Sequence, residues 1–439
     1  MRFHLPSVAV LGLALALCPQ DAFAAKPAAL FKKALQRKNS AGMIAAAEKL
    51  AAAPSKKGTK VLALYGAMVP DAEVYRACRD ALAKAYAHAK SKPVLEKLAQ
   101  KAKAMEQRTL CVDALGASGD AGAVALLSKI LSKDKDKTVR MGAIAALVQL
   151  KHRTCIPPLY QRLDKVGFKS ADAEAEELYG ALRRLTGRTK ESRAEWDKWW
   201  KVKGKDFDPS AVGKPADAAR TSSRKSSGKI FSSEVRSQAF VLVLDISSSM
   251  RVIDLMGKTW KDSKGKPHNY KDPDPRGAKP PHKDSRFRKA QNAFCKFIGG
   301  LSKKARFSIV VFGAKKDCRF WKKGLVRANK KVKADAIKFV KGLKWSGATR
   351  TDTALDLAFS VKGADSIYLF SDGIPEKRVS GKTKDIPQDK ILEQVRALNR
   401  ARKLRLHCYA MTSSPKTQAF LQKLAKENRG EYKDLRTAK

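Results

Sequence analysis

Two carboxylates and three hydroxyls stand out in this sequence because of where they fall. Residues 240–250 read FVLVLDISSSM, an apolar run that ends at Asp245 and passes straight into Ser247, Ser248 and Ser249. Further on, SGATRT (346–351) carries Thr349 in a loop ahead of a helical segment, and SIYLFSD (366–372) ends a second apolar run at Asp372. Each run has the length and composition of a buried strand. In open α/β sheets, ligands bind beyond the carboxyl ends of the strands, so the two acids and three of these hydroxyls are expected to converge at one edge. They would form an all-oxygen donor set suited to a hard cation, and Mg²⁺ typically keeps waters alongside few carboxylates. A serine after Asp at a strand end also serves as a plain helix cap. Thr349 and Asp372 are what turn DISSSM from a cap into a candidate site.

Holding such an edge together takes alternating strands and helices, and the second half of the chain has that order. Strand-like runs at 239–245, 306–313, 366–372 and 404–411 are separated by amphipathic stretches such as RFRKAQNAFCKFIGGL, TDTALDLAFSV and DKILEQVRALNRARK. Continuous apolar strands between such helices imply a mostly parallel, doubly wound (Rossmann-like) α/β sheet covered on both faces.

Residues 238–435 resemble the von Willebrand factor A family. ARFSIVVFG, SGATRTDTAL and IYLFSDGIP occur in that family's order and spacing. Its metal-ion-dependent adhesion site pairs a D-x-S-x-S strand end with a later threonine and a later aspartate, here Asp245, Ser247, Ser249, Thr349 and Asp372. The resemblance implies that Ser247, Ser249 and Thr349 touch Mg²⁺ (or Mn²⁺) through their hydroxyls, with Asp245 and Asp372 acting mainly through water or as outer acceptors. So few direct carboxylates leave an open position for an acidic residue of a protein partner. Ala348 and Arg350 stand where the family often has glycine and asparagine; Arg350 either lowers metal affinity or helps clamp the incoming carboxylate. A polar insertion at 251–283, with His268, Asp272 and Asp274, is either a lid or, the preferred reading, a plain loop.

The first half reads differently. From about residue 28 to 207 the pattern is helical and alanine-rich, and it repeats. Residues 111–131 overlie 143–163 at a shift of about 32, matching Ala114, Leu115, Val124, Leu127 and Leu131 with Ala146, Leu147, Ile156, Leu159 and Leu163. One such two-helix unit cannot bury its apolar face alone, so copies must stack. The stretch VRMGAIAALVQL resembles HEAT-type repeats, which implies an all-α solenoid. Cys78 and Cys111 fall at equivalent places in neighbouring copies, too far apart for a disulfide, and are expected to be buried thiols. AEWDKWW, with Trp196, Trp199 and Trp200, reads as a helix capping the open end of the array. The expected organisation is a signal peptide (1–24), a HEAT-like array with its tryptophan-rich cap (25–207), a flexible basic linker (208–236) and an A-type domain (237–439).

Charge and compartment complete the reading. Arg2, an apolar core at 8–17 and AFA at 22–24 form a secretory signal pattern with cleavage before Ala25, so the mature protein is expected to be exported, whether periplasmic, cell-surface or secreted, without a membrane span. Lys and Arg number 91 against 42 acids, a net charge of +49, which attracts polyanions without choosing among acidic polysaccharide, nucleic acid or an anionic envelope. No G-x-S-x-G elbow, phosphate loop or HExxH occurs, and the six histidines are scattered, with His407 in a structural place within a strand. A binding protein is expected rather than an enzyme.

Overall fold

The structure, a computed structural model, describes residues 19–213, 226–230, 233–253, 260–261, 265, 267–268, 283, 285–379, 382–411 and 414–435. Its first half is helical: α1 (Pro19–Gln36), α2 (Ser40–Ala52), α3 (Lys56–Met68), α4 (Ala72–Tyr86), α5 (Lys92–Lys101), α6 (Met105–Ala117), α7 (Val124–Lys133), α8 (Lys137–Leu150), α9 (Ile156–Val166), α10 (Ala173–Thr186) and α11 (Arg193–Lys203). Consecutive helices pair, and α2, α4, α6, α8 and α10 lie side by side as one layer. The apolar residues matched across the 32-residue shift are all buried in a single continuous core. Burying one such leucine is worth about 1.5–3 kcal/mol, so neighbouring units hold each other in place.

A polar repeat accompanies the apolar one. Arg108 and Arg140, in α6 and α8, each turn Nη1 back to two carbonyls of the preceding loop, at 2.8 and 3.2 Å and at 2.8 and 3.1 Å. Their remaining nitrogens cross to the next unit, Arg108 to Asp134 and Asp136, Arg140 to Glu174. The two arginines, one buried and one half-buried, thus fix the spacing between repeats. Cys78 and Cys111 carry free, buried thiols, and burial pushes the Cys78 thiol up to about 12. On α11, which packs on α9, Trp196 is buried and stacks on Tyr160 at 5.8 Å, with Trp199 beside it.

The second half contains β1 (Lys229–Ile230), β2 (Ser233–Glu234), β3 (Ala239–Asp245), β4 (Trp260–Lys261), β5 (Pro267–His268), α12 (Arg286–Gly300), β6 (Arg306–Phe312), β7 (Arg319–Phe320), β8 (Val326–Arg327), α13 (Lys330–Lys341), α14 (Thr351–Ser360), β9 (Ser366–Ser371), β10 (Glu376–Val379), β11 (Lys382–Asp385), α15 (Gln388–Asn399), β12 (Arg405–Ala410), α16 (Pro415–Glu427) and β13 (Tyr432–Asp434). The main sheet runs β13-β12-β9-β3-β6-β7, with β8 also on β6. From β13 to β6 it is parallel; β7 and β8 pair antiparallel with β6. Alternation along β3 divides the core. Phe240, Leu242 and Leu244 face α12 and α13, while Val241 and Val243 face α14, α15 and α16. Across the sheet, His407 stacks on Tyr368 at 4.6 Å and accepts from the Glu431 N–H.

The linker reading needs correction at its end. Lys229–Ile230 and Ser233–Glu234, expected within a flexible stretch, pair as β1 and β2, because Ile230 and Val235 are apolar enough to bury against α12. Residues 214–225 lie outside the described residues, as do 1–18 of the expected signal peptide; α1 covers its last residues.

The α4/α6/α8/α10 side of the array meets the amino ends of β9 and β12 through ion pairs. Lys137 Nζ lies 2.6 Å from Asp365 Oδ2, Lys403 Nζ 2.6 Å from Asp113 Oδ2, and Arg405 Nη2 2.9 Å from Glu177 Oε2. The opposite edge of the sheet, at the strands' carboxyl ends, carries the candidate site.

Candidate metal centre

Register places the acids. Leu244 of β3 is level with Phe370 of β9, so Asp245 and the Ser371–Asp372 pair leave the sheet side by side. Ser371 Oγ donates to Asp245 Oδ2 at 2.6 Å, and the Ser247 N–H donates to Asp245 Oδ1 at 2.8 Å. A short 3₁₀ turn over 248–251 then curls the serines back over the edge. Ser247 Oγ and Ser249 Oγ lie 3.0 Å apart, and Ser249 Oγ donates to Asp372 Oδ1 at 2.8 Å.

The threonine arrives from the other side. Its loop is pinned by Ser248 N–H to the Gly347 carbonyl, 3.0 Å, and by Glu376 N–H to the Thr349 carbonyl, 2.8 Å. Gly373 marks how close it comes: a methyl there would lie 2.9 Å from Thr349 Oγ1 and 3.4 Å from Ser249 Oγ. Only a residue without Cβ fits between these two hydroxyls. All five expected residues therefore gather in one place, with Asp245, Ser247, Thr349 and Asp372 buried and Ser249 half-buried.

The electrostatics suit a cation. Burial first, and the neighbouring Asp372 charge second, push the Asp245 carboxyl up to about 7. Two desolvated carboxylates amid three hydroxyl oxygens make a hard, anionic cradle in which a divalent ion relieves the repulsion. The donor set fits Mg²⁺ or Mn²⁺ and offers no soft ligand.

Two neighbours were not anticipated. Ser371 holds the second oxygen of Asp245, as described. Arg286, the first residue of α12, places Nη1 2.7 Å from Asp372 Oδ2. Arg350, expected to bear on the ligand, is otherwise engaged: its guanidinium forks onto Asp352, with Nε 2.8 Å from Oδ1 and Nη2 2.6 Å from Oδ2. A carboxylate two residues away in the first turn of α14 captures it before any incoming one. Arg286 pairs directly with Asp372. Of the 251–283 insertion, His268 lies in β5 opposite Trp260 of β4, and Asp272 and Asp274 lie outside the described residues. Beside the edge, Arg251, Lys316 and Trp345 line a cleft of about 330 Å³.

Comparison with known proteins agrees with this architecture. A family model of the von Willebrand factor type A domain matches residues 282–434, and one of HEAT repeats matches 63–148 and 93–167. The first match contains Thr349 and Asp372 and begins where the insertion ends; β3 and its DISSSM segment lie upstream of it. Among solved structures, a von Willebrand factor type A protein from Catenulispora acidiphila is 19% identical, covering 44% of this chain and 38% of its own, with a TM-score of 0.30. The PilB minor pilin from Streptococcus sanguinis is 14% identical, covering 46% of this chain and 58% of its own, with a TM-score of 0.29. The chain thus spans less than two thirds of either protein.

Proposed function

With HEAT repeats joined to a von Willebrand factor type A domain as the starting point, we propose that this protein is an exported, metal-dependent binding and scaffold protein. The observation that carries the reading is the convergence of Asp245, Ser247, Ser249, Thr349 and Asp372 at one sheet edge. Ser247, Ser249 and Thr349 would hold the ion through their hydroxyls, and Asp245 and Asp372 would fix it through water or as outer acceptors. When bound, Mg²⁺ supplies an open coordination position for a carboxylate. The residues around the edge favour an acidic partner, since the adjoining cleft presents Arg251 and Lys316. The helical array would act as the scaffold that presents this edge. Export rests on the signal pattern of residues 1–24. A binding role is supported by the serine hydroxyls that pair, among the described residues, with each other and with Asp372.

Calorimetry with Mg²⁺ or Mn²⁺ tests the centre directly. Wild type should bind one ion and Asp245→Ala none, with the fold retained by circular dichroism. Unchanged affinity in that variant would sink the assignment. A pull-down with and without Mg²⁺ then identifies the partner.

A second reading follows from the net charge of +49: a surface that binds polyanions by charge alone. The two separate cleanly. Metal-dependent capture is lost in EDTA at constant ionic strength, whereas polyanion capture survives EDTA and is lost in high salt.

A further inference from the structure

Where the array and the sheet domain meet, four cations share a cavity with one carboxylate. Arg184 comes from α10, Arg405 from β12, Lys426 from α16 and Arg429 from the turn after it; the acid is Glu177 of α10. They line a cavity of about 640 Å³. Glu177 Oε1 lies 3.1 Å from Arg184 Nη2, and its Oε2 lies 2.9 Å from Arg405 Nη2 and 3.4 Å from Arg429 Nη1. Among the lining residues, a single negative charge therefore serves four positive ones. The carboxylate is also short of acceptor capacity. Among the described residues, buried Arg405 Nε makes no hydrogen bond, and buried Arg429 Nη1 reaches Glu177 only as an ion pair outside hydrogen-bond geometry.

A buried guanidinium N–H left without an acceptor costs free energy, more so because the group is charged. Arg183 Nε and Arg400 Nε elsewhere show the same shortage singly, but here Arg405 and Arg429 share one cavity and one carboxylate with two further cations. We propose that the cavity is a second binding site, for a small dianion of the phosphate class. A tetrahedral oxyanion presents oxygens in several directions and takes guanidinium forks from different elements at once. Here those elements belong to both halves of the chain, so a bound dianion ties Arg184 of the array to Arg405, Lys426 and Arg429 of the sheet domain. The site is separate from the metal edge, at the other end of the sheet.

The experiment uses the full-length protein in EDTA, so the metal edge takes no part. Calorimetry and thermal unfolding are run with sodium phosphate against sodium chloride at equal ionic strength, and again with phenyl phosphate. Inorganic phosphate should bind with a one-site isotherm and raise the unfolding temperature. If phenyl phosphate binds as well, the site accepts a phosphoryl group carried by a larger ligand; if not, it takes the free ion. The double substitution Arg184→Gln with Lys426→Gln, at two exposed positions, should weaken binding at least tenfold. Lys129→Gln with Lys390→Gln removes the same charge from remote exposed surface and should leave binding unchanged. Equal behaviour of phosphate and chloride in wild type overturns the proposal. So does equal weakening in both double variants, which would mean unspecific condensation on a basic protein.

Discussion

Arg286 Nη1 stands 2.7 Å from Asp372 Oδ2, and both side chains are buried. The sheet edge therefore contains a cation of its own. Asp372 is shared between a hydroxyl, Ser249, and this guanidinium, so any ion that settles against Asp372 competes with a resident charge.

Arg286→Met removes that competitor while keeping a long side chain at the start of α12. Mg²⁺ affinity should rise about tenfold or more, since close charges at an effective dielectric of about 20 interact by about 4 kcal/mol. Without the ion the variant should be less stable, because losing one partner of a buried pair costs about 3–5 kcal/mol. Calorimetry and metal-dependent thermal unfolding read the two effects separately. Unchanged Mg²⁺ affinity would remove Arg286 from the account.

Gly373→Ala is a lesion confined to the hydroxyls. Its methyl would come within 2.9 Å of Thr349 Oγ1, and the stiff, β-branched threonine has few rotamers in which to yield. Metal affinity should fall at least about tenfold, while unfolding temperature shifts by only a few degrees, as for a loss of about 1 kcal/mol. A variant that binds Mg²⁺ like wild type would show that Thr349 is no ligand.

The seam makes a pH prediction. Burial acts to raise the Glu177 carboxyl, but Arg429, Arg405 and Arg184 together outweigh it and hold the group well below its ordinary value of 4.5. Below pH 4.5 the unfolded chain takes up this proton and the folded protein does not, so stability falls as pH drops. One such proton changes stability by about 1.4 kcal/mol per pH unit. Glu177→Gln should lower stability at pH 7 and flatten its fall below pH 4.5, measured by urea unfolding across the range. Parallel acid profiles for the two proteins would contradict the pairing.

Within the array, Gly116 and Gly142 should respond oppositely to alanine. A Cβ at Gly116 would lie 2.6 Å from Ala146 Cα, backbone that cannot move aside, whereas at Gly142 its nearest neighbour would be Val112 Cγ1 at 3.5 Å. Gly116→Ala should destabilise by about 1–3 kcal/mol through overpacking. Gly142→Ala should be neutral or stabilising by up to about 1 kcal/mol, from helix propensity. Thermal unfolding of both variants checks the packing of α6 on α8.

What could be read from the sequence was whatever a local pattern announces. Asp245 and Asp372 each end an apolar strand, so their shared edge follows from sheet geometry, and Leu115 and Leu147 reveal the stacked helices by recurring. Arg286 gave no such signal: it lies 86 residues from Asp372, behind a polar insertion, among many other basic residues. Arg350 sits next to Thr349 in sequence, but its fork onto Asp352 appears only once the first turn of α14 is placed. The seam was equally hidden. Glu177 and Arg405 are 228 residues apart, and a charged residue on a helix looks solvated until its partner is placed. The β1/β2 pairing escaped notice because two apolar residues are too few to mark a strand.

The two ends of the sheet differ in what they hold, and this sets a direction for force. A ligand gripped at the Asp245–Asp372 edge pulls on the carboxyl ends of β3 and β9, while the array anchors the amino ends of β9 and β12. Tension between them runs lengthwise along the strands. The ladder bonds joining β12, β9, β3 and β6 lie across that line, so they resist sliding together rather than parting one by one. Under such a pull the ladder bonds would be loaded together, and the sheet would act as a stiff tether.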